Sequence, residues 1–355
     1  MKRTIVAVSI VASIISPMTA MADKCIDWGR LMTSYEIDTT PKWKTTILLQ
    51  TFDDFTKVAG DEWLSSGIPY LLAQYLVITD NISTLFGPSA KYSPAAVSPA
   101  YTISGMYQHV EGRLRVFIKL EKHGNLLKQY QLDMVYPQHR QLFDTLGDTT
   151  LSMLEFISPK YDKKKFEVVR NQTGSLPAYE NYIRGLLAYW TFNIDQMDIA
   201  KTWFEEAKKA DVYYQNAYLG MTGVYTFTAL YNKQNKRAFS NYFEQAEKEL
   251  QTMEKFAKRP PPPDRPKKYV ILMKQKPWKI TNRFLLAHSS FVAGLDASGS
   301  KRWLEAAKYF EETVTYTPED AITWYYLSQM REKSGDRQKA SAALAKAGEL
   351  NKCLQ

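Results

Sequence analysis

AITWYYLSQMREKSGDRQKASAALAKAGELNKCL, residues Ala321 to Leu354, decides how the second half of this chain is read. Trp324 and Leu327 are spaced to share one helix face, and Gly335 falls where a turn is needed. Ala340 and Ala347 are small enough for a second helix to cross the first closely. The stretch predicts one helical hairpin of about 34 residues, and Pro318 closes the unit before it. Such hairpins bury their apolar faces only by stacking, and a stack leaves a concave surface for a partner.

The same reading extends backwards. Tyr179 to Phe192 and Asp198 to Ala210 form a first hairpin, with Ala200, Phe204 and Ala207 at its crossing positions. Gly185 sits about three residues earlier than the repeat spacing requires, so this hairpin needs a longer helix or turn. Asn216 to Tyr231 and Arg237 to Phe256 form a second hairpin, with Tyr225, Phe243 and Ala246 as its packing residues. The proline-rich run within 259–266 interrupts the array as extended polyproline, a stiff spacer or a docking peptide. Ile280 to Leu295 and Lys301 to Thr315 form the third hairpin, with Ala306 and Phe310.

Residues 44–157 alternate between strand and helix signals. Lys44 to Phe52 reads as a buried strand, and Asp61 to Thr79 as a helix with the apolar stripe Trp63, Leu64, Ile68, Leu71, Leu72, Tyr75 and Leu76. Asn81 to Gly87 is a short strand, followed by a loop holding Pro88, Pro94 and Pro99. Tyr101 to Val110 is a strand with a glycine at Gly105. In Arg113 to Glu121, Leu114, Val116, Ile118 and Leu120 take one side. Gly124-Asn125 turns the chain into Leu127 to Tyr136, and Gln138 to Ile157 is an amphipathic helix. The order describes an α+β domain. Residues 158–177, with the charge run Asp162 to Lys165, read as a solvated linker, and 178–355 as an all-α array of about four hairpins.

The start of the chain reads as a signal peptide over residues 1–22. Lys2 and Arg3 precede an apolar core, and Ala20-Met21-Ala22 supplies the small residues of a cleavage site before Asp23. Residues 23–43 are a weakly periodic lead-in. A periplasmic location follows, with no stable membrane insertion after cleavage, because no second long apolar run exists. Cys25 and Cys353 are the only two cysteines, near the two ends of the mature chain. Export permits a disulfide between them, worth up to about 5–6 kcal/mol in the chain-entropy account; two unpaired thiols are the alternative. Hydrophobic residues at 45% and aromatic ones at 13% place the chain among globular proteins. Removing Lys2 and Arg3 from the net charge of +9 leaves +7, a modest excess that fits a solvated basic surface or attraction to an anionic partner.

Three motifs give the first domain a resemblance to the N-terminal domain of TolB, as it recurs in FlgO-like and TolB-like envelope proteins. They are Ile47 to Phe52 followed by Trp63 to Leu72, the strand Tyr101 to Tyr107, and Gly112 to Leu120 with its hairpin partner. The hairpins resemble tetratricopeptide repeats, into which many such domains continue, and Ala178 to Gly185 is similar to that junction. The resemblance implies a non-catalytic adaptor or scaffold for protein–protein interactions in a bacterial envelope assembly. Relatives usually carry a helix where Pro88, Pro94 and Pro99 stand, so that edge of the domain is open or filled by a partner. The repeat resemblance places Tyr179, Tyr182, Tyr189, Asn216, Tyr325 and Gln329 on the concave face as partner-binding residues. The same spacing also fits packing between neighbouring helices. Trp190, Trp203, Trp303 and Trp324 are core candidates.

No catalytic pattern emerges. The four histidines, His109, His123, His139 and His288, form no pair at metal-ligand spacing. Ser298-Gly-Ser-Lys301 matches a serine-enzyme signature but lacks its companion motifs and reads as a turn. No cofactor pattern occurs. Nucleic-acid binding has little support in an exported chain. An activator of a wall or glycan enzyme is the alternative function, and an enzyme of unrecognised type the remaining one.

Overall fold

Thr45–Leu49, strand β1, puts Ile47 at the centre of a mixed sheet, with no exposed surface. The computed structural model describes residues 45–258, apart from 80, 88–98, 138, 159, 171, 236 and 239. It also describes residues 290–354, apart from 292, 296, 319, 352 and 353. The signal peptide, the lead-in, Cys25, Cys353, Pro88, Pro94, the proline-rich run and most of the third hairpin's first helix lie outside the described residues.

The strands are β1, β2 (Asp53–Asp54), β3 (Ile82–Leu85), β4 (Tyr101–Val110), β5 (Arg113–Lys122) and β6 (Asn125–Val135). Their order is β3-β1-β4-β5-β6, and β2 pairs with β4 beyond the end of β1. β1 runs parallel to β3 and β4, while β4, β5 and β6 are antiparallel. Leu114, Val116, Ile118 and Leu120 are all fully buried, as the alternation requires. One face of the sheet carries helix α1 (Leu64–Leu76) and helix α2 (His139–Ile157).

Two local devices fix α1 on the sheet. Pro69 has no N–H, so the Ser65 carbonyl loses its helical donor; Phe52 N–H donates to that carbonyl at 2.8 Å. The Ser65 hydroxyl returns a hydrogen bond to the Phe52 carbonyl. Gly105 clears the space in which Phe52 lies, since a Cβ there would sit 2.6 Å from the Phe52 ring.

The expected linker is a correction. Lys163–Arg170 forms helix α3, with Phe166 and Val169 buried. Phe166 packs on Tyr75 of α1 with the rings tilted by 55°, and Arg170 reaches the carboxylates of Asp144 and Asp148 on α2. Phe166 and Val169 give this charged segment a core to join.

The remaining described residues are mostly helical and include α4 (Leu176–Tyr189), α5 (Met197–Ala210), α6 (Gln215–Gln234), α7 (Ser240–Lys258), α8 (Trp303–Tyr316), α9 (Ala321–Lys333) and α10 (Arg337–Leu350). A three-residue 3₁₀ turn, Ile194–Gln196, lengthens the connection between α4 and α5 and absorbs the displaced spacing of Gly185. Gly335, at φ +92°, makes the turn between α9 and α10. The main cluster of buried side chains runs unbroken from Ile47 through Trp63, Tyr179, Phe204 and Phe310 to Ala343. The sheet and the hairpins therefore share a main core, with two smaller clusters beside it, around Tyr218 and Met253 and around Tyr325 and Ala347.

Candidate functional site

Helix α4 carries most of the expected partner-binding residues. Ser175 caps its N-terminus by accepting from Ala178 N–H, and a proline follows in the first turn. Tyr179, Tyr182 and Tyr189 then project from it, and all three are fully buried. Tyr179 stands edge-on to Trp63 and Phe143, and its hydroxyl donates to the Gly67 carbonyl at 2.7 Å. The hydroxyls of Tyr182 and Tyr70 are 2.9 Å apart, and Tyr182 also packs on Phe204 and Tyr214. Tyr189 meets Phe192 and Phe227. Burial pushes the Tyr179 and Tyr214 phenols well above their ordinary range, so they remain neutral donors.

These residues do not line an open groove. The face of α4 expected to receive a partner is filled by the chain itself, by α1 and α2 at Tyr179, by α1 and α5 at Tyr182, and by α6 at Tyr189. Asn216 is also buried and donates to the Gln172 side chain at 2.7 Å. Tyr325 is buried against Ala347 and Leu354. Of the expected residues, Gln329 alone keeps partial exposure. The tryptophans depart in the opposite direction: Trp190, Trp203, Trp303 and Trp324 are all half-buried, and among the described residues Trp63 is the fully buried one.

At the other side of this junction, the loop before α1 is clasped by both layers. The Asp61 carboxylate accepts from the Tyr136 hydroxyl at 2.9 Å and lies 3.2 Å from His109 Nε2. Tyr107 donates to the Asp61 carbonyl at 3.2 Å. Arg184 of α4 donates to the Gly60 carbonyl and pairs with Glu180. Gly60 N–H donates to the Glu62 carboxylate, and hydrogen bonds from backbone N–H groups at Glu62 and Gly60 hold that carboxyl below its usual range. Burial raises the Tyr107 and Tyr136 phenols. The contacts run within the chain and read as a structural clasp, although His109 Nε2 makes no hydrogen bond there.

Among the described residues, no group of three or more His, Cys, Asp or Glu side chains is placed to hold a metal ion. Ser298 and Lys301 sit at a helix end, where Lys301 N–H donates to the Ser298 carbonyl at 3.0 Å. That matches the turn expected from the sequence. No described helix is long and apolar enough to cross a membrane.

Arg184 has a second contact that the sequence did not flag. Its guanidinium lies over the Trp203 ring, 5.5 Å from the centroid. Next to this pair, Leu187 on α4 and Ile199 on α5 are 39% and 45% exposed. The signal was present as i,i+4 spacing of Ile199 and Trp203, about a quarter turn around α5 from the crossing residues Ala200, Phe204 and Ala207. No family model matches the chain, and no curated protein matches it in sequence.

Proposed function

We propose that the chain is a non-catalytic interaction protein of the bacterial envelope. In this reading a TolB N-terminal-like domain runs directly into tetratricopeptide-type hairpins. The observation that carries the reading is a recurring helix crossing. In the first hairpin Gly185 of α4 meets the Phe204 ring, at 2.6 Å from where its Cβ would stand. In the third, Gly294 meets the Phe310 ring at 2.7 Å. A glycine on one helix receiving a phenylalanine from the next is a stacking unit. Buried Ala200, Ala207, Ala306, Ala340 and Ala347 supply the matching close approaches.

Stacked hairpins with a rigid aromatic core make a scaffold, and their chemistry is surface recognition. The reading includes export, cleavage before Asp23 and a periplasmic location. Fractionation with N-terminal sequencing of the mature chain tests those parts: Asp23 as first residue supports them, and an uncleaved cytoplasmic protein contradicts them. Affinity capture from cross-linked envelopes tests the function, with a reproducible protein partner as the supporting result.

A further inference from the structure

We infer that the outer face of the first hairpin, centred on Trp203, docks a basic amphipathic segment of a partner protein. The inference rests on the interaction reading above and gives it a site, on the outer face of α4 and α5 that the sheet layer leaves exposed.

The face is built from two rungs. Gly185 of α4 meets Phe204 of α5, which sets the level of the antiparallel pair. Arg184 and Trp203, one residue back on each helix, form an outward rung joined by the guanidinium over the indole. Leu187 and Ile199, one turn along in each helix, form the second rung and are 39% and 45% exposed. Trp203 is half-buried, outside the main core cluster, and held still by Arg184. A positioned Trp–Arg pair beside exposed aliphatic side chains has the composition of a binding hot spot.

Charge selects the occupant. Asp195 and Asp198 stand at the Ile199 end, both exposed. Glu180 and Glu62 stand at the Arg184 end, and Glu206 follows Trp203 on α5. Glu180 pairs with Arg184 and Glu206 with Lys209, so Asp195, Asp198 and Glu62 set the excess over the loop residue Lys57. Lys201 points elsewhere, over the Tyr225 ring. An acidic rim around an apolar strip, on a chain whose net charge is +9, attracts a cationic amphipathic helix and repels an anionic lipid surface.

The test uses the mature full chain and a fluorescent Lys/Leu amphipathic peptide of about 18 residues, with Glu/Leu and Lys/Ser peptides of equal length as controls. The Lys/Leu peptide is expected to saturate the protein in anisotropy titrations, and the controls not. Leu187→Ser with Ile199→Ser is expected to weaken it by about tenfold or more. Leu304→Ser, at another exposed leucine, is expected to leave it unchanged. Because both patch residues are exposed, the variant is expected to melt like the wild type. Equal binding by both variants, equal binding of the Glu/Leu peptide, or no binding overturns the inference. Envelope capture separates the two claims. A partner held equally by wild type and patch variant leaves the scaffold reading standing and removes this site; no partner for either removes the scaffold reading.

Discussion

The hydroxyls of Tyr70 and Tyr182 meet at 2.9 Å across the boundary between the sheet layer and the first hairpin. Tyr70 also lies against Phe86 and Trp190, so one aromatic cluster joins three segments distant in the chain. Tyr182→Phe removes the hydroxyl pair and is expected to cost about 0.5–1.5 kcal/mol. Tyr182→Ala empties a fully buried site and is expected to cost about 3–5 kcal/mol. In urea, near-UV and far-UV circular dichroism should report one coincident transition for this boundary. Separate transitions would mean that the two layers fold independently.

Phe52 and Gly105 offer a test of the sheet. A methyl group at Gly105 meets the Phe117 carbonyl at 2.4 Å and the Phe52 ring at 2.6 Å, and the carbonyl belongs to a paired strand that cannot withdraw. Gly105→Ala is expected to destabilise by about 1–3 kcal/mol in denaturant titration. A neutral substitution would show that Phe52 packs elsewhere.

Phe204 is the corresponding test of the hairpins. It fills the space left by Gly185 and Gly220 together. Phe204→Ala is expected to cost about 3–5 kcal/mol and to release amide protection in α4, α5 and α6 together. Loss confined to α5 would contradict the shared crossing.

Asp336 gives a pH dependence with a definite sign. Its side chain caps α10 by accepting from Lys339 N–H. The side-chain contact with Lys339, and then that backbone bond, hold its carboxyl below the usual range. A depressed carboxylate adds stability above its unfolded-state value and loses it as pH falls through the folded one. The protection of the Lys339 amide, taken relative to its intrinsic exchange rate at each pH, is therefore expected to hold at neutral pH and to fall only below the ordinary carboxylate range. Asp336→Asn should flatten the dependence, because an amide oxygen still caps; Asp336→Ala should leave the amide unprotected throughout.

Legibility in the sequence followed the range of the forces involved. The alternation of Leu114, Val116, Ile118 and Leu120 is local, and the observed strand has the expected buried side. The turn at Gly335 is local too. Tyr179 and Tyr182 were readable as inward-facing residues of a helix, but their neighbours Gly67 and Tyr70 are 112 residues away. Spacing within α4 cannot tell a groove lined by tyrosines from one already filled by α1. Helix α3 was hidden because the lysines of its first turn outweigh Phe166 and Val169 in composition, although those two residues are spaced for one face. The outer strip of Leu187, Ile199 and Trp203 was missed for a related reason: each is apolar, and exposure depends on what the rest of the fold leaves uncovered.

The scaffold account is tested most directly by affinity capture of the tagged mature chain from cross-linked envelopes, quantified against an untagged control. The account predicts at least one protein partner enriched in every replicate and lost when cross-linking is omitted under denaturing wash. The absence of any reproducible partner in envelopes that contain the folded, exported chain would contradict it.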